Sequence, residues 1–369
     1  MTFRLVLRLG LLIGVAACGA RTDAGTLQSA IDRQLSVNAQ KYGIAGQAVL
    51  ILHDGKPIYR GSQGLARREA NVPVHPDDIF PAFSLSKLFA SVLVMQLVER
   101  GQLDLEAPVG HYLPDLPASW RNLKLTEVLN HVSGLPEYFD ASATPIVRPI
   151  VPPATREAAF QALADKPFLF ATGTQTRYTQ TNFVLLGAIL EARYNMPYRR
   201  IVAERIVEPL GLTSTYFGNS HVPPGKLVNS YIGKDHQLMA DHAIDWPEYA
   251  IVHGELYTTV DDLGAYLNAL CAGRLLRRET LQRLWKPYRY KQGGAGWFAS
   301  GWEYGTSGRY QYVGHDGGTK VRARVIFDES LTKNTYAIVY LTNGSAENVW
   351  SRTLVDSVMA IVAPREFRD

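Results

Sequence analysis

Both ends of this chain read as β-structure and its middle as helix, and that order admits few folds. Near the N-terminus, GQAVLILHDGKPIYRGSQG (46–64) is a β-rich run, an Asp54-Gly55 turn and a second run through Ile58 and Tyr59, the pattern of a hairpin. Near the C-terminus, GWFASGWEYG, RYQYVGHDGG, KVRARVIFDE and NTYAIVYLTNG are further β-like segments. Between them, SLSKLFASVLVMQLVER (84–100) is a strongly apolar helical run that stops at Gly101, and NFVLLGAILEARY is another. Helix-like stretches at about 26–40, spaced by Leu27, Ile31 and Leu35, and at about 346–363 flank the whole. This order predicts one sheet built from both termini, with a mainly helical lobe inserted between strands two and three. The sheet lobe is expected at 18–66 and 290–369, and the helical lobe at 67–289.

The chain has 369 residues, 46% of them hydrophobic and 20% charged, so it folds and is long enough for two lobes around a large core. A net charge of +4 with no Lys/Arg run argues against a nucleic-acid partner. Two cysteines, Cys18 and Cys271, cannot form a disulfide framework. Residues 1–17 place Arg4 and Arg8 ahead of a short apolar run, the form of a secretory signal. Val15-Ala16-Ala17-Cys18 resembles a bacterial lipobox, which makes Cys18 the expected lipidation site. The expectation is therefore an exported lipoprotein on the periplasmic side of the bacterial cell envelope, anchored to membrane by lipid. Cys271, in a helical-looking stretch, then has no partner and is expected to be a core thiol.

Ser84-Leu85-Ser86-Lys87 matches S-x-x-K, a nucleophile signature, but so does Ser330-Leu331-Thr332-Lys333. Residues i and i+3 face each other on a helix, and only the first match opens a helical run. The second lies between two β-like runs, where nothing brings its side chains together. A serine at a helix N-terminus also sits where developing negative charge is stabilised. The lysine can take the serine proton only if burial or nearby cations lower its pKa, and Phe83, Leu88 and Phe89 offer an apolar setting for Lys87.

Taken with this motif, FPAFSLSKLFASVLVMQLVERGQLDLEAPVGHYLPDL, LTEVLNHVSGLPE, RYTQTNFVLLGAILE, EPLGLTSTYF, GELYTTVDDLGAYLNAL and YVGHDGGT resemble, in order, segments of the serine β-lactamase and DD-peptidase superfamily. The likeness is to the branch that groups class C β-lactamases with related peptidases and esterases, and it spans roughly residues 45–345. It implies an α/β two-lobed fold, with Ser84 as nucleophile, Lys87 as its paired lysine and Tyr178 as proton shuttle. Gln180 stands where the family usually has Asn, one methylene longer with the same amide chemistry. His315-Asp316-Gly317 falls at the Lys-Thr-Gly position, and the N–H of Gly318 with that of Ser84 would make the oxyanion hole. His131 is expected to shape its turn rather than do chemistry. Asp235-His236 and Asp241-His242 read as polar loops rather than metal ligands, and no motif calls for a metal or organic cofactor.

The reading is thus a serine hydrolase forming an acyl-enzyme with an amide or ester of a small molecule or peptide. Alternatives are a carboxylesterase on the same scaffold, a true class C-like β-lactamase, and a catalytically silent envelope-binding lipoprotein. Asp316 is expected to set an anionic charge beside any substrate carboxylate and so disfavour β-lactams, unless Lys320, Arg322 or Arg324 compensates or Asp316 turns away.

Overall fold

The structure is a computed structural model that describes residues 24–139, 151–218, 221–241, 246–328, 331, 333–364 and 367. The expected signal segment with Cys18, the Ser330 of the second S-x-x-K match and His242 lie outside the described residues.

The N-terminal hairpin is β1 (Gly46–His53) and β2 (Lys56–Arg67), turned at Asp54 and Gly55, both at positive φ. It is followed by β3 (Val72–Pro73) and β4 (Phe80–Phe83), and in the middle of the chain by β5 (Tyr216–Phe217), β6 (Tyr231–Lys234), β7 (Gln237–Ala240) and β8 (Leu256–Thr258). The C-terminal strands are β9 (Phe298–Ala299), β10 (Trp302–Ser307), β11 (Tyr310–Asp316), β12 (Arg322–Phe327) and β13 (Tyr336–Thr342). One eight-stranded sheet runs β3-β2-β1-β13-β12-β11-β10-β9, and every pairing in it is antiparallel. The first and last central strands therefore meet, with Gln47 opposite Thr342 and His53 opposite Tyr336.

β1 is buried along its length except at His53, because both faces of the sheet are covered. Val49 and Ile51 pack with Ile338 and Tyr340 against the Ala24–Tyr42 and Ser351–Val362 helices, through Ile31, Leu35, Leu354 and Val358. The alternate residues Ala48, Leu50 and Leu52 join Val339 and Leu341 in the larger core, shared with the helical region. Period-two alternation thus sorts each central strand between two layers. The last helix begins at Ser351 rather than near 346, because Ala346 and Glu347 donate instead to the carbonyls of Gly43 and Tyr42 and tie that segment to the first helix's end.

In the helical region, Ser86–Glu99 is buried on nearly all sides, and the Gln180–Tyr194 helix packs beside it. A small sheet of β4-β8-β5 lies next to them. β4 leads directly into the Ser86–Glu99 helix, and that junction positions Ser84.

Candidate active site

Ser84 occupies a two-residue turn between β4 and the helix, so the helix starts at Ser86 and not at Ser84. The cause is Phe83, whose φ of +48° turns the chain sharply out of the strand. A bulky residue in that region is strained, a cost of order 1–3 kcal/mol that tolerates only an over-determined surround. The turn is closed by Leu85 N–H on Ala82 O and Lys87 N–H on Ser84 O, both at 3.1 Å, and it keeps the i, i+3 relation of Ser84 to Lys87. The end of β11 leans on this junction. A Cβ at Gly317 would stand 2.6 Å from Ala82 O, and one at Gly318 would stand 3.1 Å from the Phe83 ring. The N–H groups of Ser84 and Gly318 enter none of the backbone hydrogen bonds among the described residues, whereas that of Gly317 bonds Val321 O at 3.0 Å.

Lys87 and Tyr178 both reach Ser84. Lys87 Nζ lies 3.2 Å from Ser84 Oγ, and the Tyr178 hydroxyl donates to the same oxygen at 2.8 Å. Lys87 is completely buried, its Nζ held by the His253 carbonyl at 2.6 Å and stacked 5.0 Å from the Tyr178 ring centroid. Burial drives its pKa well below the ordinary lysine value, against the opposing fields of Glu137 and Asp316. Burial also raises Tyr178, which keeps it a phenol able to donate.

Gln180 opens the Gln180–Tyr194 helix, capped by the Thr179 side chain. Its amide meets Tyr178, with Nε2 3.4 Å from the hydroxyl, and it has no bond to Lys87. Its N–H donates to Glu137 Oε2 at 2.8 Å. Glu137, part of the HVSGLPE segment, was given no role by the sequence. Its carboxyl, raised by burial, also takes the Tyr138 N–H at 3.1 Å, and so pins the turn that carries Tyr178. His253 was likewise missed, because its contribution is a backbone carbonyl; its ring is fixed by the Tyr138 hydroxyl at 2.8 Å. His131, at φ +57°, does shape its turn. Its Nδ1 accepts from Asn182 Nδ2 at 3.0 Å, and its ring packs 4.8 Å from that of Tyr178.

His315 and Asp316 end β11 beside the same serine. His315 is 1% exposed, 5.6 Å from the Tyr178 ring between centroids, and its Nδ1 bonds Asp316 O at 2.6 Å while Nε2 has no partner. Burial, then the Lys87 charge, lowers its pKa to about 4, so the ring is neutral at pH 7. Of the outcomes left open for Asp316, compensation by Arg322 is the one found. Asp316 Oδ2 is 3.3 Å from Arg322 Nη1 and accepts from Ser351 Oγ at 2.9 Å. Burial acts to raise the Asp316 carboxyl, but Arg322 and then His315 pull it below the ordinary range. Strand alternation explains the choice of cation: Arg322 lies directly opposite Asp316 in the β11–β12 register. Arg324 instead reaches Asp356 at 2.6 Å. Arg322 is shared with Glu303 at 2.5 Å, whose carboxyl is raised by burial. Glu303, His315 and Asp316 bring ligand-type atoms within 4.8 Å of one another, but Arg322 already supplies the positive charge of that cluster.

Two cavities open on Ser84. One of about 490 Å³ is lined by Gln180, Trp246, Glu255, Tyr257 and Gly318. The other, about 640 Å³, is lined by Tyr178, Trp297, Glu303, His315, Asp316 and Trp350. Away from the site, Asp235 and His236 turn the β6–β7 hairpin, and His236 pairs with Glu347 at 2.7 Å. Cys271 is a half-buried free thiol at a helix end, pushed up to about 12 by burial.

The chain is 28% identical to the esterase EstB of Burkholderia gladioli over 207 residues, 53% of each protein. It is 27% identical to the D-alanyl-D-alanine-carboxypeptidase/endopeptidase AmpH of Escherichia coli K12 over 221 residues, 59% of this chain and 57% of that one. The chain thus spans about half the length of these curated relatives. Its fold is that of D-amino acid amidase from Ochrobactrum anthropi SV3, at a TM-score of 0.76 and 24% identity, covering 92% of this chain and 99% of the amidase. The family model described as Beta-lactamase matches residues 27–355, and on that match this chain belongs to the beta-lactamase family.

Proposed function

We propose that this protein is a serine hydrolase that cleaves an ester or amide through an acyl-enzyme on Ser84. The observation that carries the reading is the convergence of Lys87 Nζ and the Tyr178 hydroxyl on one serine oxygen, with Lys87 fully buried. A lysine depressed by burial is a neutral amine for a larger share of molecules and accepts the Ser84 proton as Oγ attacks the carbonyl. The developing oxyanion meets the N–H groups of Ser84 and Gly318. As the bond to the leaving group breaks, the Tyr178 phenol gives that group its proton. A water then returns a proton to the phenolate while its oxygen attacks the acyl carbon, and Lys87 re-protonates Ser84. Protons and bonds balance over the two steps, with only the acid and the leaving group released. Relatives named as an esterase, a carboxypeptidase and an amidase support the reaction class without choosing within it. Gln180 is assigned to the substrate's acyl side, and His315, Asp316 and Gly317 to the edge along which substrate lies. Cys18 is proposed as the lipid attachment site, at the cell envelope.

Fluorophosphonate reacts with activated serines. Intact mass should gain one adduct that is absent from Ser84→Ala and retained in Ser330→Ala. An unlabelled wild type would favour a silent binding protein, and label retained in Ser84→Ala would move the nucleophile elsewhere.

A further inference from the structure

The two cavities at Ser84 divide the substrate between them. Tyr178 lines the larger cavity and not the smaller, whereas Gln180 and Gly318 line the smaller and not the larger. The group that receives the Tyr178 proton is the departing one, so the larger cavity is the leaving-group side. This assignment rests on the hydrolase reading above.

That cavity has three properties. Its mouth carries Trp297 and Trp350, 45% and 77% exposed, the only tryptophans among the large hydrophobic side chains exposed in the described residues. Solvated indole faces at a cleft favour a flat ring laid against them. Its floor carries Glu303 and Asp316, and the one buried cation there, Arg322, is held by both carboxylates at 2.5 and 3.3 Å. A carboxylate arriving at that depth loses hydration and finds, among the described residues that line the cavity below its rim, no uncommitted cation. Beside the carboxylates, buried His315 presents an imidazole whose Nε2 has no partner. Arg352 also lines the cavity, but at its exposed rim.

We propose that the cavity bounded by Trp297, Trp350, Glu303 and Asp316 takes a ring-shaped leaving group without negative charge, an aryl alcohol or aryl amine, and discriminates against one bearing a carboxylate. In the chemical step the acyl carbon exchanges its bond to the aryl oxygen or nitrogen for one to Ser84 Oγ, and the departing atom leaves protonated by Tyr178.

The test is a matched set of phenyl acetates carrying a meta carboxylate, a meta carboxamide or a meta trimethylammonio group, with ethyl acetate as the ringless reference and each rate divided by its hydroxide rate. All share one acyl group, so loss of turnover for the whole set in Ser84→Ala tests the hydrolase reading separately from the order within the set. The carboxylate ester should show kcat/KM at least tenfold below the carboxamide and trimethylammonio esters. Trp350→Ala should raise KM for the aryl esters by a clearly larger factor than for ethyl acetate. In the Glu303→Gln, Asp316→Thr double variant Arg322 is released from both carboxylates, and the charge order should narrow or reverse. A wild type that handles the carboxylate ester as well as the carboxamide would overturn the proposal. So would a carboxylate preference abolished by Arg352→Ala, which would assign selection to the rim.

Discussion

Lys87 is the residue at which burial becomes chemistry. An ammonium group in an apolar setting without a paired carboxylate is disfavoured, so the same burial that costs stability leaves a lone pair beside Ser84. The sign is definite: activity should rise with pH through the depressed Lys87 pKa, not through the ordinary lysine range, while Tyr178 stays protonated across neutral pH. An acid limb of kcat/KM near pH 10 would show that burial does not depress Lys87 in the working enzyme. Because Lys87 and Tyr178 share one serine oxygen, their losses should not multiply. Lys87→Ala and Tyr178→Phe are each expected to lower turnover by roughly two orders of magnitude or more, with the double variant little worse. Steady-state kinetics on the four proteins decides this, and fully multiplicative losses would mean independent roles. Ser84, Lys87 and Tyr178 were legible in the sequence because each sits in a distinctive local segment. Glu137, Glu303 and the His253 carbonyl were not, since their parts depend on neighbours distant in the chain.

At the level of elements, the site is a junction between the end of β4 and the end of β11. The sequence implied a glycine-bearing strand, but the need for glycine is steric and tertiary: a Cβ at Gly317 would lie 2.6 Å from a backbone oxygen and 2.7 Å from Val321. That oxygen belongs to Ala82 and is held in the turn by the Leu85 N–H at 3.1 Å, so it cannot step aside cheaply. Gly317→Ala should therefore destabilise the protein by roughly 1–3 kcal/mol and slow fluorophosphonate labelling, by displacing Gly318 from Ser84. Gly25→Ala is the comparison, since nothing lies within 4 Å of its Cβ position. Denaturant midpoints and labelling rates of the two variants measure the difference. Equal stability and labelling would show that β11 shifts freely. The same junction explains the misplaced helix start: apolar periodicity runs through Ser84 without a break, and the positive φ of Phe83 that interrupts it leaves no trace in composition.

At the scale of the whole molecule, joining β1 to β13 makes one sheet of segments separated by most of the chain, and both of its faces are covered. The first helix, starting at Ala24, lies on the face opposite the larger core that holds the Ser86–Glu99 helix. Cys18, proposed above as the lipid attachment site, precedes the first helix in the sequence. Cys18→Ser is expected to release the protein from membrane fractions and to abolish incorporation of labelled fatty acid. A wild-type protein that is already unlabelled and free of membranes would make the lipobox a coincidence.

The sequence by itself determined the elements whose physics is local. Alternation and an Asp-Gly turn wrote the N-terminal hairpin, an unbroken apolar run wrote the central helix, and S-x-x-K at the start of that run marked the serine and lysine that the fold brings within 3.2 Å. Tertiary structure decided what depends on distant partners. It gave Asp316 to Arg322 through strand register, shared that arginine with Glu303, and left His315 neutral by burying it near Lys87. Charge type is written in the sequence; whether a charge is spent on a neighbour or offered to a substrate is a matter of a few ångströms, set only when the strands pair.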